Sequence, residues 1–160
     1  MKQSVKNILA LALPVFIVSV FSCTGLAGER GDVNWYSYHD GMEAIQSGDK
    51  KGFVYFYTTW CGFCKKMDEE TFSMKSVSDY LNENFVPIKV DADAQRELAR
   101  QYGANQYPSN LFLSTDAEVI AGRPGYIPED QMIGILKYIH TESYETMSFM
   151  DFLEEEGAGR

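Results

Sequence analysis

A chain of 160 residues, 45% apolar and 23% charged, has the size and composition of one globular domain with a single core, and is too short to expect two. Its net charge of −9 at pH 7 argues against nucleic acid as a partner, because phosphate binding needs a basic surface. Neither a G-x-x-x-x-G-K-[ST] stretch nor a G-x-G-x-x-G stretch is present.

The N-terminus carries Lys2 and Lys6, then 14 largely apolar residues from Ile8 to Phe21, then small and polar residues to Gly28. This is the outline of a secretory signal over residues 1–27. The apolar run is short for a membrane span and is interrupted by Pro14. Two exits compete. Gly25-Leu26-Ala27 suits ordinary signal peptidase and gives a mature start at Gly28. Val20-Phe21-Ser22-Cys23 resembles a bacterial lipobox, which makes residues 1–22 a lipoprotein signal and Cys23 the lipidated residue. Either way the protein is exported, with contact to a membrane only through the signal or that lipid.

Residues 28–32 are small or charged and are expected to form a flexible leader, with the domain at 33–141 and an extension at 142–160. Val33 to Tyr38 favours a short strand and Asp40 to Ser47 a short helix. Phe53 to Thr59 has no sustained polar alternation and is the candidate central strand, buried on both faces. Good helix formers follow from Cys64 to Glu70, then a second helical stretch with Val77, Tyr80, Leu81 and Phe85 in register, which Ser73 or Ser76 can cap. Phe85 to Val90 is the next strand, and Ala94 to Tyr102 a helix ended by Gly103. Asn110 to Ser114 and Glu118 to Gly122 read as a hairpin around Thr115-Asp116-Ala117. Pro128 opens an amphipathic helix with Met132, Ile135, Leu136 and Ile139 on one face. Tyr144 to Arg160 is a further helix packed on the domain or a partly disordered tail. The order β-α-β-α-β-α-β-β-α implies an α/β fold with a central mixed sheet flanked by helices. Tyr36, Tyr38, Tyr55 and Phe56 are expected in the core.

The chemistry concentrates in Trp60-Cys61-Gly62-Phe63-Cys64, which holds two of three cysteines where the central strand gives way to a helix. Closing so small a loop removes little unfolded-state entropy, so the pair suits redox exchange better than stapling. Cys61 lies at the expected helix start, where free backbone N–H groups favour a thiolate, and Lys65 and Lys66 add positive charge nearby. Cys61 is therefore the expected attacking sulfur. Cys64, covered one turn further in, is the expected resolving one. A closed zinc site needs four ligands and only His39 and His140 remain as nitrogen donors, so no metal is assigned, although a thiolate pair that captures copper stays an open alternative.

The run Phe53-Val-Tyr-Phe-Tyr-Thr-Thr-Trp60-Cys61-Gly62-Phe63-Cys64-Lys65 resembles the active-site strand and turn of thioredoxin-fold proteins. Tyr107-Pro108, with the proline 47 residues after Cys61, is similar to the loop in which that superfamily carries a cis-proline, and Gly125 stands where it has a glycine bordering the substrate groove. The resemblance covers Val33 to Ile139. Within the superfamily, Cys64-Lys65-Lys66-Met67-Asp68-Glu69-Glu70-Thr71-Phe72 and Phe85-Val86-Pro87-Ile88-Lys89-Val90-Asp91 look like exported thioredoxin-related proteins and the periplasmic C-terminal domain of the transmembrane thiol reductase.

That likeness implies a thioredoxin fold and a monomeric thiol–disulfide oxidoreductase without a bound cofactor. Cys61 and Cys64 are its redox pair, with Trp60, Gly62, Phe63, Tyr107, Pro108 and Gly125 meeting the substrate. It implies reduction of disulfides in exported proteins, with an upstream thiol reductase as electron donor. The alternative is an oxidase or isomerase. Two departures stand out. Tyr55 occupies the place of the buried aspartate of cytosolic thioredoxins and is a poor general base at neutral pH. Gly62-Phe63 replaces Gly-Pro between the cysteines, and lacks the His of strong oxidants. A mid-range reduction potential is expected, away from the about −120 mV of such oxidants.

Overall fold

The computed structural model describes residues 29–158, so the export signal and Cys23 lie outside the described residues. Among the described residues no helix is long and apolar enough to cross a membrane.

The centre is β1, Lys51–Tyr57, which pairs in parallel with β2, Phe85–Asp91, and antiparallel with β3, Ser109–Leu113. The hairpin partner of β3 is β4, Val119–Pro124, and the sheet runs β2-β1-β3-β4. Successive side chains of β1 point to opposite faces. Phe53 and Tyr55 enter one core with Met67, Phe72, Leu81, Phe112, Met132 and Leu136. Val54 and Phe56 enter the other with Ile45, Ile88, Val90, Ala99 and Leu113. Burial on both faces is what the unbroken apolar run required.

Helix α1 spans Tyr38–Ser47 and starts two residues before the sequence suggested. Ser37 caps it, its Oγ accepting from the Asp40 N–H at 3.3 Å and donating to the Asp40 carboxylate at 2.7 Å. The strand expected over 33–38 is reduced to one parallel bridge. Tyr36 N–H donates to the Pro87 carbonyl at 2.8 Å, and the Tyr36 carbonyl accepts from Lys89 N–H at 3.2 Å. Extending that ladder backwards would need an N–H from Pro87, which proline lacks, and the cap at Ser37 ends it in the other direction. Tyr36, expected in the core, is exposed, whereas Tyr55 and Phe56 are fully buried.

Residues 29–31, expected as leader, lie against 73–75. Lys75 N–H donates to the Glu29 carbonyl and Gly31 N–H to the Ser73 carbonyl, each at 2.8 Å.

After β1 comes α2, Gly62–Met67, continued by a π-helical turn over Asp68–Phe72. Helix α3, Lys75–Asn84, follows. Neither serine expected to cap α3 does so: Ser73 Oγ donates back to the Glu69 carbonyl and Ser76 Oγ to the Glu129 carboxylate. Met74 holds the cap position without a side-chain bond. Helix α4 is shorter than expected, Arg96–Gln101. Gly103 ends it with φ +65°, and Ala104 N–H reaches the Ala99 carbonyl at 2.8 Å.

Helix α5, Glu129–His140, begins after Pro128 and buries the expected face of Met132, Ile135, Leu136 and Ile139. The C-terminal extension forms α6, Phe149–Ala158, after a 3-10 turn at Ser143–Glu145. Phe152 is buried, Tyr138 Oη donates to the Met147 carbonyl at 2.6 Å, and Lys137 pairs with Glu156 at 2.7 Å.

Gly41 of α1 fixes the distance between that helix and the edge of the sheet. A Cβ there would stand 2.3 Å from Ile88 Cγ1 and 2.6 Å from Cδ1. Helix propensity alone makes Gly41→Ala stabilising by about 1 kcal/mol. Overpacking against fully buried Ile88 costs about 1–3 kcal/mol. The expected net outcome in urea unfolding is a loss of stability of about 1 kcal/mol.

Candidate active site

The sheet delivers Cys61 directly. Strand β1 ends at Tyr57, the chain turns through Thr58 to Trp60, and Cys61 N–H closes the turn on the Thr58 carbonyl at 3.3 Å. Cys61 is the N-cap of α2, with φ −75° and ψ 108°, and its Sγ accepts the backbone N–H of Cys64 at 3.0 Å. Cys61 and Cys64 form a disulfide with Cα atoms 5.2 Å apart. The two residues differ in access: Cys61 is 6% exposed and Cys64 1%. Both belong to the core beside Phe53, Tyr55 and Met67.

Large apolar side chains stand open around this buried pair. Trp60 is 69% exposed and Phe63 63%, and the space a side chain would fill at Gly62 is open. The Trp60 ring meets the Tyr107 ring edge-on, with centroids 6.2 Å apart, and its indole N–H donates to Asp93 Oδ2 at 2.8 Å. The Tyr107-Pro108 peptide bond is cis. Gly125, at φ +92°, donates its N–H to the Pro108 carbonyl at 2.7 Å, and its carbonyl accepts from Asn110 Nδ2 at 3.2 Å. The structure thus joins Trp60 to Tyr107 and Pro108 to Gly125, although long stretches of sequence separate each pair.

Beneath the dithiol, Tyr55 is completely buried and its hydroxyl donates to the Cys64 carbonyl at 3.2 Å. Burial raises its pKa far above the usual phenol value. The Asp68 carboxylate and then Tyr57 push the same way. Tyr55 therefore stays protonated near neutrality and serves as a donor that props the first turn of α2, not as a base.

Sequence reasoning missed the charged pair beside it. Lys89, opposite Tyr55 in the β1–β2 register, binds both Asp68 oxygens at 2.8 and 3.0 Å. Its ammonium also lies 4.8 to 5.5 Å from the ring centres of Tyr57, Tyr55 and Trp35. Lys66, expected to favour a thiolate, is committed elsewhere: it pairs with Glu70 at 3.6 Å and covers the Tyr126 ring. The role of Asp93 was also hidden, because 33 residues separate it from Trp60.

Residues 38–140 match the family model of the thioredoxin-like domain. The chain belongs to that family. It is 32% identical to an uncharacterised protein of Caenorhabditis elegans over 69% of this chain and 17% of that protein. It is 36% identical to Thioredoxin-1 of Drosophila melanogaster over 48% of this chain and 66% of that one. A solved thioredoxin from Thermus thermophilus superposes with a TM-score of 0.62 at 26% identity, covering 68% of this chain and 88% of that one. The match thus spans only a sixth of the Caenorhabditis elegans protein, and the kinship is that of the domain. A CxxC disulfide on this fold gives residues 38–140 the make-up of a thioredoxin-like thiol–disulfide oxidoreductase domain.

Removing the Tyr55 hydroxyl tests its structural role. Tyr55→Phe should lose about 0.5–1.5 kcal/mol, the net worth of one hydrogen bond. A tyrosine whose pKa is raised by folding contributes stability that is present below its unfolded value and lost as pH rises through the folded one. Stability of the natural chain should therefore fall above about pH 10, and less steeply in Tyr55→Phe, as read from urea unfolding at several pH values.

Proposed function

We propose that this chain is an exported disulfide reductase in which Cys61 attacks and Cys64 resolves. The observation that carries the assignment is the unequal setting of the two sulfurs. Both cysteines lie in the buried core, but Cys61 Sγ sits at the helix cap against the Cys64 N–H, and Cys61 keeps 6% of its surface exposed against 1% for Cys64. The same N–H would stabilise a Cys61 thiolate in the reduced protein.

In the reduced protein, the Cys61 thiolate attacks one sulfur of a substrate disulfide. A Cys61–substrate disulfide forms and one substrate thiolate leaves. Cys64 then attacks Cys61 Sγ, the mixed disulfide breaks, and the second substrate sulfur leaves as thiolate and takes up the Cys64 proton. Two electrons pass to the substrate and the Cys61–Cys64 disulfide is restored. Tyr55 cannot take the Cys64 proton, since its own is held more tightly than usual.

Trp60, Phe63 and Tyr107 offer the apolar surface against which a substrate segment lies, beside Pro108 and Gly125. Gly62 leaves that surface open. The partners are disulfide-containing proteins outside the cytoplasm, with an upstream thiol reductase returning electrons. Export is supported by Lys2, Lys6 and the apolar run from Ile8 to Phe21, with Cys23 as a lipid site under the lipobox exit.

The roles predict opposite outcomes for two single changes. Cys61→Ser should abolish insulin reduction. Cys64→Ser should accumulate mixed disulfides through Cys61, recovered from the envelope by non-reducing gels and mass spectrometry. Trapping by Cys61→Ser instead would reverse the assignment, and adducts confined to cytoplasmic proteins would contradict export.

A further inference from the structure

We propose that the cleft bordering Trp60 is a subsite for a side-chain carboxylate in the substrate segment beside its disulfide, with Arg96 as the recognising group. This rests on the reductase reading above and adds a substrate class to it.

A cavity of about 420 Å³ lies between α4 and the stretch leading to Pro108. Ala92, Ala99 and Ala104, all buried, line it with little side-chain bulk. Tyr107 and Asp93 also line it, and these are the two residues that hold the Trp60 ring. Trp60, the residue preceding Cys61, thus rests on two residues of the cleft wall.

Charge decides what the cleft would take. Its lining sets one carboxylate, Asp93, which turns an oxygen to the Trp60 indole N–H, against two guanidinium groups, Arg96 and Arg100. Arg100 is engaged by Glu97 at 2.6 Å. Arg96, one turn earlier on the same face of α4, lines the cleft and has no ion-pair partner among the described residues. A guanidinium matches a carboxylate through paired N–H donors. On a chain of net charge −9, an acidic substrate meets overall repulsion, so a local cation in the cleft selects where its acid can rest.

The test uses three peptides closed by one disulfide, identical except for Asp, Gly or Lys flanking the cysteines, all with amidated C-termini. The rate constant for oxidation of the pre-reduced full chain is measured for each, alongside anisotropy of a labelled, cysteine-free Asp peptide with the oxidised chain. The Asp-to-Gly rate ratio should exceed one in the natural chain and fall about tenfold in Arg96→Glu, with Arg96→Lys keeping part of it. Arg96 is exposed, so unchanged thermal unfolding is expected to accompany that fall. Equal ratios in natural and Arg96→Glu chains overturn the subsite and leave the reductase reading intact. If no peptide is reduced, the reductase reading fails, and anisotropy decides the subsite: Asp-peptide binding lost in Arg96→Glu upholds it, and absent or unchanged binding overturns it.

Discussion

The structure depends on β1 being buried on both faces. A strand that fills two cores at once cannot slip by one residue without turning both sets of side chains to the wrong side. Phe53 and Tyr55 are locked against the helices that carry the dithiol and α5, and Val54 and Phe56 against α1 and α4. The end of β1 is therefore a fixed point. The turn from Thr58 to Trp60 converts that fixed point into a set orientation for the first turn of α2, where Cys61 takes the cap. Rigid delivery matters because thiol–disulfide exchange needs the attacked and attacking sulfurs aligned, and misplacement by an ångström is costly.

The same constraint sets the two sulfurs in different places. Both lie in the core that β1 organises, with Cys61 Sγ held at the helix cap against the Cys64 N–H and Cys64 one turn further in. Tyr55 contributes by position: its hydroxyl supports the Cys64 carbonyl, and its burial keeps it protonated. The charge near the site comes from Asp68 on the π turn and Lys89 on β2, paired with each other and stacked on aromatic rings. With Lys66 drawn to Glu70, the Cys64 N–H at the cap is the donor that faces Cys61 Sγ.

What was legible in the sequence was whatever local pattern controls. The apolar run of β1, the 3.6-residue face of α5, the left-handed stop at Gly103 and the spacing of the two cysteines each state their own structure. What was not legible depended on partners far along the chain. Val33 to Tyr38 has strand composition, but Pro87 on the neighbouring strand withholds the N–H that a longer ladder needs. Ser73 and Ser76 are good caps by type, yet find the Glu69 carbonyl and the Glu129 carboxylate instead. Residues 29–31 look like a leader because their backbone partners, residues 73–75, lie more than 40 positions further along the chain. Trp60 announces an active site by its place before Cys61, while Asp93, which holds its ring, announces nothing until the fold joins them.

The central claim is that the cap setting makes Cys61 the thiolate and burial keeps Cys64 a thiol. Its most direct test is titration of the reduced protein, following thiolate absorbance together with site-resolved alkylation across pH. The account predicts that Cys61 ionises below the ordinary thiol value of about 8.5 and is alkylated first, with Cys64 ionising above it. Earlier ionisation of Cys64, or two thiols titrating together at the ordinary value, would contradict it.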